Sequence, residues 1–298
     1  MEELIDCPVC RTSESLSKTF ASVRDHALTG EVFTISNCKV CGLLATNPRP
    51  SAEEIGRYYD FPNYVSHRDD APGLINRLYQ LARRYTTQNK VRLIERINNG
   101  RTGELRLLDY GCGTGFFLQA AKDKGWQVTG VEVSRTARNA AKERLQLSVF
   151  ETLSEVDKNK QYSTITLWHV LEHIHDLNET LADLISRLTA DGSLIIAVPN
   201  SEAADTAYYK EYWAAYDVPR HLYHFAPQTI QRLMQQHGAR VVEQIGQPLD
   251  AFYIGLLSEK YRQGSAIKGL FNGVRANIDA WKTGNYSSII YVVKKSAS

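Results

Sequence analysis

Apolar runs and amphipathic stretches alternate through the middle and the end of the chain. Seven apolar runs have the length and composition of buried strands, at residues 105–110, 127–133, 147–150, 162–168, 193–198, 241–245 and 288–293. Four further stretches carry apolar residues at helical spacing, at residues 116–124, 135–145, 178–188 and 226–237. Strands that alternate with helices predict an α/β fold built on a parallel sheet.

A glycine-rich turn follows the first of these strands. The turn reads Asp109-Tyr-Gly111-Cys112-Gly113-Thr-Gly115, and the next predicted strand ends on Glu132. Strand, glycine turn, helix, strand and acid is the order of a nucleotide-binding βαβ unit. The glycines let the backbone approach a ligand closely, and an acid about 20 residues later binds ribose hydroxyls.

The residue after the last glycine, Phe116, separates two classes of cofactor. A dinucleotide fingerprint needs a small residue at this place, so that the helix packs closely on the strand. The chain instead has Gly-x-Gly-x-Gly led by Asp109, and this spacing resembles the first motif of class I S-adenosylmethionine-dependent methyltransferases. The resemblance implies a Rossmann-like seven-stranded methyltransferase sheet of strand order 3-2-1-4-5-7-6, with the seventh strand antiparallel.

A second segment points to the same family. Trp168-His169-Val-Leu-Glu-His173 resembles the segment after the fourth strand in small-molecule methyltransferases, including those of quinone biosynthesis. The resemblance implies that the glycine turn holds the methionine part of the cofactor and that Glu132 binds the ribose. The residues that it places around S-adenosylmethionine are Asp109, Gly111, Cys112, Gly113, Gly115, Glu132, Val133, Thr152, Leu153, Trp168 and His169.

Two Cys-x-x-Cys pairs lie near the N-terminus, Cys7-Pro-Val-Cys10 and Cys38-Lys-Val-Cys41. Two such turns that face each other form a tetrahedral four-thiolate site, which suits zinc. Because four thiolates leave no open position, this zinc is expected to be structural. Disulfides are the alternative, and a cytoplasmic chain disfavours them. The fifth cysteine, Cys112, is interpreted as a small residue in a tight turn rather than a nucleophile.

The cysteine pairs followed by this domain are similar to sugar C-methyltransferases that act on nucleotide-linked deoxysugars. In that group a catalytic His precedes the fifth helix, and the matching segment here is Arg220-His221-Leu-Tyr-His224-Phe. The resemblance implies that His221 is the catalytic base, although Arg220 stands where the family has an acid. It also implies a role for Tyr64, in an aromatic N-terminal segment. His224 and His173 are further candidates, since an imidazole exchanges protons near neutral pH.

The sequence predicts three parts. Residues 1–50 form the zinc-ribbon-like module, residues 51–100 a helical linker or lid, and residues 101–298 the cofactor-binding domain. The basic residues on the helix before residue 100 are interpreted as a solvated face, with a phosphate- or RNA-contacting face as the alternative. Two long insertions, at residues 201–225 and 246–285, are expected to be lids or binding loops.

Composition disfavours several classes of partner. The 298 residues carry a net charge of +2, which gives no polyanion signal. No apolar run approaches the roughly 18 residues that a membrane-spanning helix needs, and the acidic N-terminus lacks a signal-peptide pattern. We therefore expect a cytoplasmic protein with no membrane partner, for which nucleic acid is a disfavoured partner. The oligomeric state stays open.

Three functions compete. The favoured one is an O- or C-methyltransferase for a small sugar, polyketide or phenolic acceptor, bound in aromatic-lined loops. The second is an RNA base methyltransferase that uses the zinc module for RNA contact, and the small net charge argues against it. The third is a zinc-ribbon adaptor with a vestigial cofactor domain, which the intact glycines and Glu132 oppose.

Overall fold

The computed structural model describes residues 1–59 and 74–296, without the side chains of residues 74–82. The strands are β1 Lys18–Arg24, β2 Val32–Asn37, β3 Leu44–Thr46, β4 Arg106–Tyr110, β5 Gln127–Val131, β6 Val149–Phe150, β7 Tyr162–Trp168, β8 Leu188–Pro199, β9 Tyr223–His224, β10 Ala239–Gly246 and β11 Ser288–Lys295. The α-helices are α1 Leu74–Ile97, α2 Phe116–Lys122, α3 Arg135–Leu145, α4 Leu177–Ser186, α5 Ala204–Tyr209, α6 Pro227–Gln236, α7 Pro248–Tyr261 and α8 Ala266–Thr283.

Seven strands form a sheet of order β10-β11-β8-β7-β4-β5-β6. Strand β4 pairs in parallel with β5 and with β7, and β5 pairs in parallel with β6. Strands β10 and β11 are antiparallel. Numbered within the sheet alone, this is the order 3-2-1-4-5-7-6, so the predicted fold class is confirmed.

The chain divides into two compact units, and each is described by itself. One consists of Met1–Asp60, His169–Ala182 and Ile196–Ser298, and the other of Phe61–Trp168 and Asp183–Ile195. We call them the first and the second unit. Within the described residues, no helix is both long and apolar enough to cross a membrane.

The second unit contains β4 to β7 and helices α1 to α3. Its core comes from the predicted apolar runs, as Leu107 and Leu108 of β4 and Ile165 and Leu167 of β7 are fully buried. Helix α3 spans the predicted residues and is capped by Ser134, whose hydroxyl accepts a hydrogen bond from Ala137 N at 3.4 Å. This N-terminal cap satisfies one of the free backbone donors at the start of the helix.

The first unit contains a second sheet, of order β1-β2-β3-β9. Strand β3 pairs antiparallel with β9, and this pairing places Leu44 opposite His224. The chain between residues 201 and 225 therefore adds a strand to the N-terminal sheet. Its aromatic residues Tyr209, Trp213 and Tyr216 pack with Ile35 in one buried cluster, so they belong to a core rather than to a mobile lid.

Helices α7 and α8 occupy the second long insertion, where the sequence predicted a lid or binding loop without assigning helices. They pack closely because glycines meet at their contact. A Cβ added to Gly269 of α8 would lie 2.8 Å from the Gly255 carbonyl oxygen of α7. Asn272 of α8 donates a hydrogen bond to the Tyr209 hydroxyl at 3.1 Å and holds the hairpin to α5.

Candidate functional site

The glycine turn after β4 has the backbone conformation that its sequence demands. Gly111, Gly113 and Gly115 have φ angles of 78°, 54° and 79°, in the left-handed region that glycine adopts without steric cost. Gly111 N and Cys112 N both donate to the Val131 carbonyl oxygen, at 2.8 and 3.0 Å. A Cβ at Gly113 would meet nothing within 4 Å, so the turn has open space beside its backbone.

The carboxylate of Glu132 is held against this turn. Its Oε2 accepts a hydrogen bond from Gly113 N and its Oε1 accepts one from Ser134 N, both at 2.8 Å. Arg138 donates to the carbonyl oxygens of Glu132 and Val133, at 2.7 and 2.9 Å, and so fixes the segment after β5. The acid at the end of the strand therefore has one orientation before any ligand arrives.

Asp109 is the buried acid that opens the turn, with 2% of its surface exposed. Burial raises the pKa of Asp109 to about 7, although a hydrogen bond from the Thr166 hydroxyl at 2.6 Å and the positive charge of Lys90 act in the opposite direction. Lys90 lies on α1, and its Nζ is 4.4 Å from the centre of the Trp168 ring. The sequence interpretation assigned Lys90 to a solvated face and did not predict its contact with Trp168.

Aromatic residues line the same part of the second unit. Trp168 packs edge-on against Phe117, with ring centres 5.5 Å apart. Its buried indole Nε1 has no hydrogen-bond partner among the described residues, as expected of a donor that awaits a ligand. Two guanidinium groups lie over the ring of Phe116. The guanidinium carbons of Arg83 and Arg144 are 3.7 Å and 3.5 Å from the centre of this ring.

Four other predicted cofactor contacts differ in their surroundings. Val133 is 75% exposed, whereas Leu153 is buried. The Thr152 hydroxyl lies 2.8 Å from the Ser154 hydroxyl, on the loop after β6. Cys112 is buried, and a Cβ at Gly130 would lie 2.8 Å from its sulfur. Because burial raises the pKa of the Cys112 thiol, this residue fills space and is a poor nucleophile.

A histidine cluster lies in the first unit, around the buried carboxylate of Glu172. The Glu172 Oε1 is 3.5 Å from His169 Nδ1 and 4.0 Å from His221 Nε2. Glu172 is 1% exposed, and neither of its carboxylate oxygens has a hydrogen-bond partner within the residues that the structure describes. A buried carboxylate without hydrogen bonds needs a compensating positive charge.

His169 supplies that charge. Its Nε2 lies 3.4 Å from Asp250 Oδ2, on the other side of the ring from Glu172. Burial disfavours the imidazolium, but Asp250 and Glu172 outweigh this effect and raise the pKa of His169 to about 9. Burial would also raise the pKa of Glu172, yet the neighbouring histidines lower it to about 2. At neutral pH the cluster therefore contains an ionised Glu172 and a protonated His169.

One ring nitrogen of His221 forms a hydrogen bond to the backbone, and the other is available to accept a proton. Its Nδ1 lies 2.8 Å from the Ala215 carbonyl oxygen, which only accepts hydrogen bonds, so Nδ1 carries the proton. Its Nε2 is 4.0 Å from carboxylate oxygens of both Glu172 and Asp217. Nε2 is therefore the ring nitrogen that is available to accept a proton.

The other catalytic candidates are differently placed. His173 Nδ1 lies 2.9 Å from both the Tyr59 hydroxyl and the Arg220 carbonyl oxygen, and burial together with His221 lowers the pKa of His173 to about 4. His224 Nε2 lies 3.2 Å from the Thr46 hydroxyl, and burial lowers its pKa to about 3. Tyr64 lies outside the described residues.

Arg220, where the resembling family has an acid, forms a buried ionic network. Its guanidinium lies 2.9 Å from Asp25 Oδ1 and 2.7 Å from Asp217 Oδ1, and it also donates to the Tyr58 carbonyl oxygen at 3.1 Å. The acid nearest to His221 in this segment is therefore Asp217, which lies four residues before the histidine. Arg220 connects it to the turn between β1 and β2.

The four N-terminal cysteines form one cluster, and we call it the cysteine cluster. Cys7 and Cys41 sulfurs are 3.5 Å apart, as are Cys10 and Cys38 sulfurs, and all four lie within 4.8 Å of one another. Disulfide sulfurs would be about 2 Å apart, whereas thiolates around a tetrahedral zinc at about 2.3 Å are separated by about 3.8 Å. The cluster therefore fits zinc.

A second group of metal-binding side chains is formed by Glu172, His173 and His221, whose donor atoms also lie within 4.8 Å of one another. The protonated His169 already balances the carboxylate of this group. The charge of the group therefore does not require a cation.

Comparisons with known proteins agree with this geometry. The model of the methyltransferase domain family matches residues 64–244. The ubiquinone biosynthesis O-methyltransferase of Rickettsia akari is 24% identical over 157 residues, which cover 50% of this chain and 60% of that protein. The corresponding enzyme of Bradyrhizobium diazoefficiens is 29% identical over 104 residues, covering 33% of this chain and 41% of that protein. The chain thus spans about 60% or less of the length of these two relatives.

The crystal structure of magnesium protoporphyrin IX methyltransferase from Synechocystis PCC 6803 with bound SAH superposes with a TM-score of 0.53 at 15% sequence identity. The superposition covers 80% of this chain and 97% of that chain. This likeness shows the fold. Since the family model matches more than half of the chain, the protein belongs to the methyltransferase domain family and has the class I S-adenosylmethionine-dependent methyltransferase fold.

Proposed function

We propose that this protein transfers the methyl group of S-adenosylmethionine to an oxygen or carbon atom of a small metabolite. The observation that carries the proposal is the fixed carboxylate of Glu132, which two backbone N–H groups hold against the left-handed glycine turn. A carboxylate placed in this way accepts hydrogen bonds from a ribose diol, as in other nucleotide-binding βαβ units.

Residues of the second unit suit the methionine part of this cofactor. Bound S-adenosylmethionine supplies an electrophilic methyl group on a sulfonium sulfur. The open backbone at Gly113 admits the methionine part, and the unpartnered Trp168 Nε1 offers a hydrogen bond to it. The ammonium group of Lys90, above the Trp168 ring, suits the carboxylate of the cofactor.

His221 is the base in this proposal. When the acceptor's hydroxyl or acidic carbon loses its proton, His221 Nε2 takes it up, because Nδ1 is bound to the Ala215 carbonyl. Carboxylate oxygens of Glu172 and Asp217 each lie 4.0 Å from this nitrogen. A positioned base of this kind accelerates a reaction by about 10²- to 10⁴-fold.

Among sugar, polyketide and phenolic acceptors, we favour a phenolic one. The support is the similarity to ubiquinone biosynthesis O-methyltransferases, and it extends over only part of those proteins. The cysteine cluster is proposed to hold one structural zinc ion, since its sulfur spacing fits tetrahedral coordination.

Calorimetry of cofactor binding tests the first step. Glu132→Ala should weaken S-adenosylmethionine binding by roughly 10- to 150-fold, because hydrogen bonds to a charged group contribute about 1.5–3 kcal/mol. The control variant Glu104→Ala removes an acid that pairs with Arg106 at the surface. It should bind S-adenosylmethionine as tightly as the unchanged protein does. Equal affinity of Glu132→Ala and Glu104→Ala would exclude the assignment of Glu132.

Methyl transfer from labelled cofactor to a panel of acceptors tests the second step. The panel contains catechols, nucleotide-linked sugars and RNA, and we expect label in the catechol fraction. Label in the sugar fraction would keep the methyltransferase assignment and replace the phenolic acceptor. Label in RNA would overturn the small-molecule proposal.

A further inference from the structure

Helix α8 presents its large apolar side chains to solvent. Ile267, Phe271 and Trp281 are 79%, 69% and 80% exposed. The exposed apolar residues recur every three or four positions, so they share one side of the helix, which we call the outer face. The outer face consists of Ile267, Leu270, Phe271, Val274, Ile278 and Trp281.

The opposite side of α8 explains why this face points outward. The buried residues of the helix are small or polar: Gly269, Asn272, Gly273, Ala276 and Ala280. Glycines on this side permit the close contact with α7, because a Cβ at Gly273 would lie 2.7 Å from the Phe252 ring. Rotating α8 to bury its large residues would push the two helices apart. The close contact with α7 therefore leaves the large apolar side chains of α8 exposed to solvent.

A basic row borders the outer face. Lys268, Arg275 and Lys282 are exposed and spaced seven residues apart, which aligns them along one edge of the helix. The only acid of α8 is Asp279. An apolar face with Trp and Phe, bordered by Lys and Arg, is the pattern of helices that lie in the plane of a membrane interface.

We propose that the outer face of α8 docks this protein on the surface of an anionic lipid bilayer. The apolar side chains would enter the boundary between headgroups and acyl chains, while the basic row contacts lipid phosphates. A helix that lies on a membrane does not need the roughly 18 consecutive apolar residues of a spanning helix. The proposal therefore departs from the expectation of no membrane partner, which rested on the lack of such a run. The proposal does not depend on the proposed methyl transfer.

A second copy of the chain is the competing occupant of this face. Charge favours the bilayer, because two copies packed through α8 would bring two basic rows to one interface with a single acid on each helix. Anionic headgroups offer the opposite charge along the whole edge. Each basic residue near such a surface strengthens binding by a factor of about five.

The test is sedimentation of the 298-residue chain with vesicles. We expect it to sediment with vesicles of phosphatidylglycerol and phosphatidylcholine, to be released by salt, and to bind pure phosphatidylcholine weakly. Phe271→Ser combined with Trp281→Ser should abolish sedimentation. Lys268→Gln, Arg275→Gln and Lys282→Gln combined should reduce binding to the anionic vesicles by about 100-fold.

Two variants serve as controls. Val242→Ser removes an exposed apolar residue of β10 and should bind as the unchanged protein does. Trp281→Phe should still bind, but it should lose the blue shift of tryptophan fluorescence on binding, since Trp126 and Trp213 are buried and the Trp168 ring packs against Phe117. Melting curves will test whether each variant is folded.

Either of two results would overturn the proposal. One is the absence of sedimentation with anionic vesicles. The other is a concentration-dependent dimer, measured by light scattering, that the serine variants convert to monomer. The second result would assign the outer face to contact between copies.

Discussion

At the scale of single residues, His221 and His224 share a short segment but differ in what their rings meet. His221 commits Nδ1 to the Ala215 carbonyl and keeps Nε2 beside two carboxylates. His224 is 4% exposed, and its Nε2 lies beside the Thr46 hydroxyl. The first arrangement suits a base and the second suits a structural histidine, which the sequence pattern alone did not distinguish.

His221→Ala should lower turnover by about 10²- to 10⁴-fold while cofactor affinity changes by much less. His224→Gln is the matched control, and it should retain most turnover at temperatures where it is folded. Single-turnover methyl transfer and calorimetry measure the two quantities. Near-normal turnover of His221→Ala would move the base to another residue, and loss of cofactor binding would make His221 structural.

The buried His224 also predicts how stability depends on pH. Burial lowers the pKa of His224 from 6.5 to about 3, so the unfolded chain takes up this proton first as pH falls. The neutral ring makes its full contribution to the free energy of unfolding above pH 6.5, and this contribution is lost as the pH falls towards 3. Between these values the free energy of unfolding should fall by about 1.4 kcal/mol per pH unit for this group.

Urea unfolding between pH 6.5 and 4.5 measures this slope. The difference between the unchanged protein and His224→Gln isolates the contribution of His224, since other groups titrate alike in both. His224→Gln should have the shallower slope. Parallel slopes would contradict the structural assignment, because they would mean that the ring takes up its proton without unfolding.

At the scale of elements, sequence prediction succeeded where the pattern and the burial agree. Helix α3 and strand β7 have the predicted bounds, because Ser134 caps the helix and the strand is apolar along its length. The glycine turn was also predicted correctly, because three closely spaced glycines favour the left-handed backbone conformation that the structure has there. Cofactor contact by the predicted residues stays a prediction.

Prediction failed where tertiary contacts decide the role of a residue. Helix α8 buries glycine and alanine and exposes large apolar residues, so its pattern did not identify the packed side. On α1, Lys90 looked like part of a solvated face, but its partner Trp168 lies on β7. The spacing of apolar residues shows which residues share one side of a helix, but it does not show what that side packs against.

The position of Lys90 leads to a test on α1. Lys90→Met keeps the apolar stem and removes the charge, so it should weaken cofactor binding by about 10-fold through the loss of one charge-assisted hydrogen bond. It should also raise the pKa of Asp109 above its value of about 7, because Lys90 now lowers that pKa. Calorimetry at several pH values measures both effects.

Arg92→Met is the matched control on the same helix. Arg92 is exposed, and its guanidinium donates to the Asn89 side chain at 3.4 Å. This variant should bind the cofactor as the unchanged protein does. If the two methionine variants behave alike, the ammonium group of Lys90 has no specific role in the cofactor site.

At the scale of the whole molecule, the cysteine cluster and the histidine cluster belong to the same unit. Two sets of contacts connect the N-terminal residues with the histidine segment. Strand β3 pairs with β9, and the Thr46 hydroxyl donates to the His221 carbonyl oxygen at 2.7 Å. Arg220 forms a buried ion pair with Asp25, and such pairs are costly to break. Whether residues 1–50 fold alone stays a prediction.

These contacts predict that metal removal affects the chemical step first. The proposed zinc should stabilise the fold of the N-terminal residues, and through β3 and Asp25 it should hold the His221 segment in place. The glycine turn, Glu132 and Asp109 lie in the second unit, where Gly113 N donates to Glu132 and the Thr166 hydroxyl donates to Asp109. Chelation, or Cys38→Ser, should therefore lower turnover by at least about 10²-fold while cofactor affinity changes only a few-fold.

Elemental analysis of the freshly purified, reduced protein should find one zinc per chain, and Cys38→Ser should contain less. The chelator should have no further effect on the turnover of Cys38→Ser, because metal and cysteine act through the same cluster. Absence of metal in the unchanged protein would contradict the zinc assignment. Equal loss of turnover and of cofactor binding on chelation would show instead that the metal supports the cofactor site as well, so that the N-terminal residues stabilise more of the enzyme than the histidine segment.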